Sequence, residues 1–442
     1  MASRPARVAS GTVGDLIAVA CAVGLVLVAA VVGRALLARG ADIFLPWPPL
    51  LAAWMPHVGP GTPVAVAVAV LVTTRGPDLA AGLRWGPLLS AAYGTAVVWT
   101  LALALVDGWQ RGIVERLSSS QEYLHDVSRV SDIPTMLRTF DQFILTDQPG
   151  HWTTHVGAHP PGVFLFYVVL DRLGLGGGGP AGVVTVLIGA AAGVAVAVAV
   201  RALSGADLAR RVVPFAVLFP GAVWVGVSAD GMFAAVLAWG VALLAIGATS
   251  AGPRADGAAL AGGLLLGWSL YQSYGLVLGG LVALAVLVAT RSWRAAGWAA
   301  LGVGVVVAAF TVAGFWWFTG LGLVRVIYAA SIASTRPYAY FVWANLAAVV
   351  FAVGPAVVAG LRRAASRPRT LPLGAALLAA GGLAALLLAD ASGLSKAEVE
   401  RIWLPFTVWL VIPCALLPRA RPWLAVQAGL ALAVNHLLLT VW

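Results

Sequence analysis

Long apolar runs, broken at intervals by short clusters of arginine, glycine and proline, dominate the chain. Many approach the roughly 20 residues that carry an α-helix across a bilayer core. Their Val, Ala, Leu and Gly make-up shows none of the two-residue alternation of a lipid-facing barrel strand, so the pattern predicts helices throughout. The first spans Gly14–Leu37, the second ends near Thr74, and the third runs from Pro87 to Val106.

At Asp107 the pattern changes. The stretch 107–162 holds the densest cluster of acids and most of the histidines, and it reads as one large loop carrying short helices. Two apolar runs follow, Val163–Leu170 and Val183–Val200. The first is short, follows two prolines and is closed by Asp171 and Arg172, which suits a re-entrant or membrane-resting helix. With only the second run counted as a crossing, the clusters Arg201 to Arg211, Arg254, Arg291 with Arg294, Arg362 to Arg369, and Arg419 with Arg421 share one side. The positive-inside rule makes that side cytoplasmic. The resulting expectation is an all-α integral membrane protein, a polytopic bundle of about 13 transmembrane helices forming one domain over residues 1–442. Its N-terminus is cytoplasmic and the 107–162 loop extracytoplasmic.

Composition agrees: with 61% hydrophobic and 10% charged residues there is too little polar surface to cover a soluble globule. The formal charge of +10 comes almost wholly from arginine, Lys396 being the only lysine. Because many of these arginines sit in inter-helix turns, the charge reads as membrane orientation, with no nucleic-acid partner. Cys21 and Cys414 fall inside apolar runs and support neither a disulfide framework nor a cysteine metal site.

A charge retained in so apolar a chain is costly, about 2.5–3.5 kcal/mol at a helix centre. The acids and histidines nevertheless gather on the outer side, joined by Arg325, Arg336 and Arg401. Such a set suits chemistry on a lipid-linked phosphate. Moving a sugar from it to a hydroxyl needs a carboxylate to take a proton, arginines or a divalent cation to hold the departing phosphate, and an apolar groove for the lipid tail. Asp126, with Glu122 one helical turn earlier, is one candidate base. Asp42 is another. His155 and His159, four apart, are a potential metal pair, although the intervening glycine and following prolines disfavour a helix there. Arg336 in TRPYAY, with Tyr338 beside it, and Arg401 in EVERIW are candidate phosphate holders. The plainer reading of Arg401 is a salt bridge to Glu398 or Glu400, and that of Asp230 is an acid favourable to a helix N-terminus.

His159-Pro160-Pro161-Gly162, closing a large outer loop and opening a short apolar helix, resembles the HPP element of GT-C superfamily glycosyltransferases, such as protein O-mannosyltransferases and aminoarabinose transferases. In that family a catalytic Asp begins the first large outer loop, and Asp107 in LALALVDG occupies the matching place. A further acid lies near the outer start of a later helix, as Asp230 does in SADGMFAAVLAWG. YQSYGLVLGG, STRPYAYFVWANLA and KAEVERIWLPF also resemble segments of actinobacterial membrane proteins of this kind. Two helices precede the one that should come first, and the loop lacks the adjacent Asp-Glu pair of the mannosyltransferases.

The resemblance implies a plasma-membrane glycosyltransferase that passes a sugar from a polyprenyl-phosphate donor to a cell-envelope acceptor on the outer face, with inversion. Asp107 is the expected base, assisted by Asp126 or Asp230. Glu122, His159, Arg336, Tyr338, Glu398 and Arg401 are the expected substrate contacts. A divalent cation, Mg or Mn, is the cofactor the chemistry leaves open, with Asp126 or Asp230 as the acid that would bind it and no full ligand set assigned. The rival readings are a polytopic transporter or lipid flippase, and a scaffold subunit. The enzyme reading requires Asp107, Asp230, Arg336, Arg401 and the HPPG corner to gather around one chamber.

Overall fold

The computed structural model describes residues 4–441. Among them, 8 helices are long and apolar enough to cross a membrane, so the chain is a multi-pass membrane protein. Those that position the site are α1 (Arg4–Ala38), α2 (Thr62–Gly82), α3 (Trp85–Asp107), α4 (Ala229–Thr249), α5 (Tyr338–Ser366) and α6 (Leu373–Ala391). A further helix, α7 (Ala420–Leu437), packs on α2 and α5. Shorter apolar helices at Tyr274–Thr290 and Leu404–Leu416 pack against them, and a third, Trp317–Ala330, lies largely exposed.

Polar contacts mark two ends of this bundle. At one, Asp15 of α1 sits between Arg362 and Arg363 of α5, at 3.2 and 2.5 Å. Arg210 donates to Ala80 O in the last turn of α2 and to Leu83 O just beyond it, at 2.6 and 2.7 Å. Arg421 of α7 pairs with Asp78 at 2.8 Å and donates to Thr74 O at 3.1 Å. These contacts explain why α2 continues to Gly82 instead of stopping near Thr74: its polar last turns, Pro77 included, receive partners from elsewhere in the chain. At the other end α2 begins where α7 finishes, with Thr62 Oγ1 2.9 Å from His436 Nε2.

That second end carries a departure from the all-helical expectation. Strand β1 (Ala52–Trp54) pairs antiparallel with β2 (Leu438–Thr440), Ala52 opposite Thr440. The pairing runs on through Met55 N to Leu437 O at 2.9 Å and His57 N to His436 O at 2.8 Å. A three-residue ribbon has too few alternations to be read in a sequence.

Between residues 108 and 160 the chain forms only short helical turns. The helix that follows, Pro161–Leu170, has 10 residues. At 1.5 Å per residue it covers about half of a bilayer core of about 30 Å, as its closing Asp171 and Arg172 suggest.

One long helix is interrupted. Within α5, Gly354 adopts φ 78° ahead of Pro355, and the hydrogen-bond ladder breaks there. Gln427 of α7, fully buried, spans the gap: its Oε1 accepts from Ala356 N at 3.1 Å and its Nε2 donates to Val353 O at 2.9 Å. Gln427→Leu would strand both backbone groups. It is expected to cost about 1–3 kcal/mol per group, measured as a lower thermal midpoint of the detergent-solubilised protein.

Candidate functional site

Asp107 ends α3, and Gly108 at φ 79° turns the chain away immediately after it. Its carboxylate is almost enclosed. Oδ1 lies 2.9 Å from His57 Nε2 and 3.0 Å from Arg111 Nη2, while Oδ2 accepts from Arg116 Nη2 at 2.9 Å. Arg111 reaches back four residues. Arg116 also donates to Thr440 O at 2.9 Å, so one guanidinium joins the carboxylate to β2. His57 is delivered by the ribbon extension, and its Nδ1 sits 2.6 Å from Met55 O. Gly61 makes the approach possible, since a Cβ there would meet Ala102 O at 1.9 Å.

A second cluster is assembled around α4. Ser228 caps the helix, its Oγ accepting from Gly231 N at 3.4 Å, which sets Asp230 in the first turn. Asp230 does not merely complement the helix dipole there. Its Oδ2 accepts from Arg401 Nη1 at 2.8 Å, both residues being buried. Glu398 stands 3.5 Å from Arg401 and 3.5 Å from Arg336, so the four form one alternating row, Asp230, Arg401, Glu398, Arg336. The loop that bears it is cross-braced: Arg336 donates to Lys396 O at 2.6 Å, and Lys396 Nζ donates to Ser334 O and Arg336 O at 3.0 and 2.8 Å. Ala397 and Glu398 both have left-handed backbone, φ 70° and 60°. Such residues cost about 1–3 kcal/mol each unless their surroundings fix them. Asn345 of α5 does so, donating to Ser395 O and to Asp390, and accepting from Ala397 N.

The HPPG corner adjoins this row. Gly162 N donates to Tyr271 O at 2.8 Å, and a Cβ on Gly162 would collide with that carbonyl at 2.5 Å, so the motif fixes the corner against the YQSY turn. His159 packs on Tyr123 and on Phe233, one turn beyond Asp230 in α4, with its Nδ1 2.8 Å from His155 O. Burial pushes the His159 imidazole down to about 4, with the neighbouring His155 acting in the same direction. His155 Nδ1 lies 2.8 Å from Glu122. Burial alone would raise the Glu122 carboxyl; the charges of His155 and Arg401 overcome it and hold it below its usual range.

The structure thus joins Asp230, Arg336, Glu398 and Arg401 directly and brings Glu122 and His159 up to them. Asp107 occupies an adjoining cluster with its own partners, so the single chamber expected from the sequence is divided into two neighbouring groups. The turn before Asp230 leans on the helix that Asp107 ends, a Cβ at Gly226 meeting Thr100 and Ala104 at 3.0 and 3.4 Å.

Three expected candidates lie elsewhere. Asp126 has its oxygens taken by Arg129 at 2.8 Å and Thr153 N at 2.7 Å, which makes it a clamp within its own loop. Tyr338 is half exposed and bonds Ala391 O, and Asp42 is exposed. His155 turns its Nδ1 to Glu122 and His159 its Nδ1 to the His155 carbonyl, and among the described residues no group of three or more His, Cys, Asp or Glu could hold a metal ion. The sequence reasoning missed His57, Arg111, Arg116 and the Glu122–His155 pair. Only Arg111, four residues beyond Asp107, carried a readable signal.

No protein-family model and no curated protein sequence matches the chain. Among solved structures it is similar to ArnT from Cupriavidus metallidurans, in the apo state and bound to undecaprenyl phosphate, with TM-scores of 0.46 and 0.48 and 19% identity. The match covers 75% of this chain, which spans 59% of the length of that protein.

Two measurements test the site's electrostatics. Arg401→Met leaves Asp230 and Glu398 without their shared cation and is expected to cost about 3–5 kcal/mol, seen as a large fall in thermal midpoint that Arg401→Lys partly restores. Glu400, buried beside the row with Oε2 unpartnered, is pushed up to about 8, by burial first and by the Glu398 carboxylate as well. Its folded value exceeds its unfolded one, so the folded state binds the extra proton and stability falls as pH rises from about 4.5 to 8. His159, shifted the other way, contributes only below about 6.5. Thermal midpoints between pH 6.5 and 8 should therefore drop with pH in the wild type, and Glu400→Gln should flatten that slope.

Proposed function

We propose that this protein is an integral membrane glycosyltransferase that moves a sugar from a polyprenyl-phosphate donor to a hydroxyl of a cell-envelope acceptor, at the extracytoplasmic face of the plasma membrane. One observation carries the reading: a buried row of alternating carboxylates and guanidiniums at one end of an apolar bundle, with a donor left over. Arg336 Nε is buried and has no partner. A phosphate oxygen is the acceptor best matched to such a planar N–H, and a guanidinium in a dry site stabilises developing phosphate charge without reorganising. The arginines occupy the role for which a divalent cation was the alternative.

In the reaction proposed, the acceptor hydroxyl attacks the anomeric carbon as the bond from that carbon to the phosphate oxygen breaks, inverting the centre. The hydroxyl proton passes to Asp107, and the polyprenyl phosphate leaves with its charge against Arg336 and Arg401. Asp107 suits this role because His57, Arg111 and Arg116 hold its carboxylate in one orientation, so its position is set before substrate arrives. Asp230 and Glu398 orient the arginines, and Glu122 and His159 wall the corner.

Asp107→Asn keeps the size of the side chain and is expected to lower transfer by at least about 100-fold while the protein elutes and melts as a folded species. Turnover of a radiolabelled polyprenyl-phosphate sugar is the measurement, and near-normal turnover by the variant would remove Asp107 from the proposal. Arg336→Met should weaken donor binding in the same assay.

A further inference from the structure

Beside the Asp107 cluster lies an open cleft of about 470 Å³, within the size range of small-molecule sites. Its walls come from three distant parts of the chain: Pro46 and Leu51 to Ala53 ahead of α2, residues 111–121 of the loop, and residues 439–441 of the ribbon. Resting on the proposed function, we infer that this cleft receives the acceptor, and that the acceptor presents an uncharged carbohydrate there.

The charge of the lining decides against an anion. Arg111 and Arg116 contribute two positive charges, but both are bonded to Asp107, and Glu115 lines the same cleft. Two positive and two negative groups leave no net attraction for a phosphate or a lipid headgroup. Arg111 Nε is buried without a partner, as Arg336 Nε is, so it is the balance of charge in the cleft, with Asp107 and Glu115 against Arg111 and Arg116, that turns an anion away. What the cleft offers in quantity is neutral hydrogen bonding, from the side chains of Ser119, Ser120 and Gln121, mixed with ion-paired groups that donate and accept in fixed directions. Hydroxyl-rich ligands use such sets because each hydroxyl is both donor and acceptor.

Much of the remaining lining is apolar, formed by Leu51, Ala52, Ala53, Leu439 and Val441, and would cover the C–H face of a sugar ring. On the same ribbon Trp54 is 57% exposed and stacks on Trp47 with ring centroids 6.0 Å apart, an aromatic surface beside the cleft. Position completes the argument. Arg111 and Arg116 stand between the cleft and the Asp107 carboxylate, and Arg111 is the half-exposed one, so its displacement opens a path for an acceptor hydroxyl to the base. On the other flank, Gln121 is followed directly by Glu122, which faces the Arg401 side. The cleft therefore abuts the Asp107 half of the site and ends one residue along the chain from the Arg401 half.

The test is to overlay the detergent-solubilised full chain on an array of neutral hexose and pentose oligosaccharides, phosphorylated and sulfated oligosaccharides, and phospholipids. Retention of a radiolabelled polyprenyl-phosphate hexose is measured on the same preparation. Neutral glycans should retain the protein. Ser120→Trp, which fills the cleft, should weaken that retention by at least about tenfold, and Gln121→Ala, which only shortens a side chain, should weaken it several-fold without altering elution in size-exclusion chromatography. Preference for anionic glycans or phospholipids, or unchanged glycan retention by both variants, would overturn the inference. Donor retained with no glycan retained would overturn it while leaving the proposed function standing; neither ligand retained would remove both.

Discussion

The ion pair between Asp230 and Arg401 is the contact on which the polar end of this bundle depends. Neither group is accessible enough to be solvated, so each is tolerable only because the other is 2.8 Å away. Once Arg401 is placed, the rest follows by the same necessity. Its second nitrogen faces Glu398, Glu398 faces Arg336, and Arg336 with Lys396 stitches two loops together through backbone carbonyls. A left-handed pair of residues at 397–398 is the cost of turning Glu398 toward both guanidiniums, and Asn345 holds that turn from α5.

The two ends of the bundle use arginine differently. At one, Arg210 and Arg421 cap helix carbonyls, and Arg362 and Arg363 share a single buried Asp15. These contacts tie helix to helix. At the other, the guanidiniums are oriented by carboxylates toward a dry interior, and a nitrogen of Arg336 is left over. The same side chain serves as a brace on helix backbone and a buried acid at one end, and holds a buried N–H without a partner at the other.

Helix positions were readable in the sequence because hydrocarbon imposes length and apolarity on any crossing segment, and α4 and α6 follow that rule with few exceptions. The misreading of α2 is instructive: Arg75, Pro77 and Asp78 look like an ending until Arg421 and Arg210 supply what they lack. Among site residues, Asp230, Arg401, Arg336 and Glu398 could be singled out, since each is a costly charge in an apolar chain. The Arg401–Glu398 contact was also one of the readings open for that arginine. What no spacing revealed is partnership across distance, such as His57 with Asp107 or Asp230 with Arg401. Asp126 looked equal to Asp107 by residue type, and only its bonds to Arg129 and Thr153 show it to be a loop clamp.

The ribbon of β1 and β2 has a bearing on biogenesis. Residues 52–54 emerge from the ribosome before any helix after α1, whereas residues 438–440 follow every span described above. Arg116 takes one of its bonds from Thr440, and His57 is aligned by the same late pairing. During insertion the carboxylate at 107 is therefore incompletely furnished, and it acquires its full set of neighbours only when the last strand docks, so a half-made chain in the membrane lacks the finished pocket.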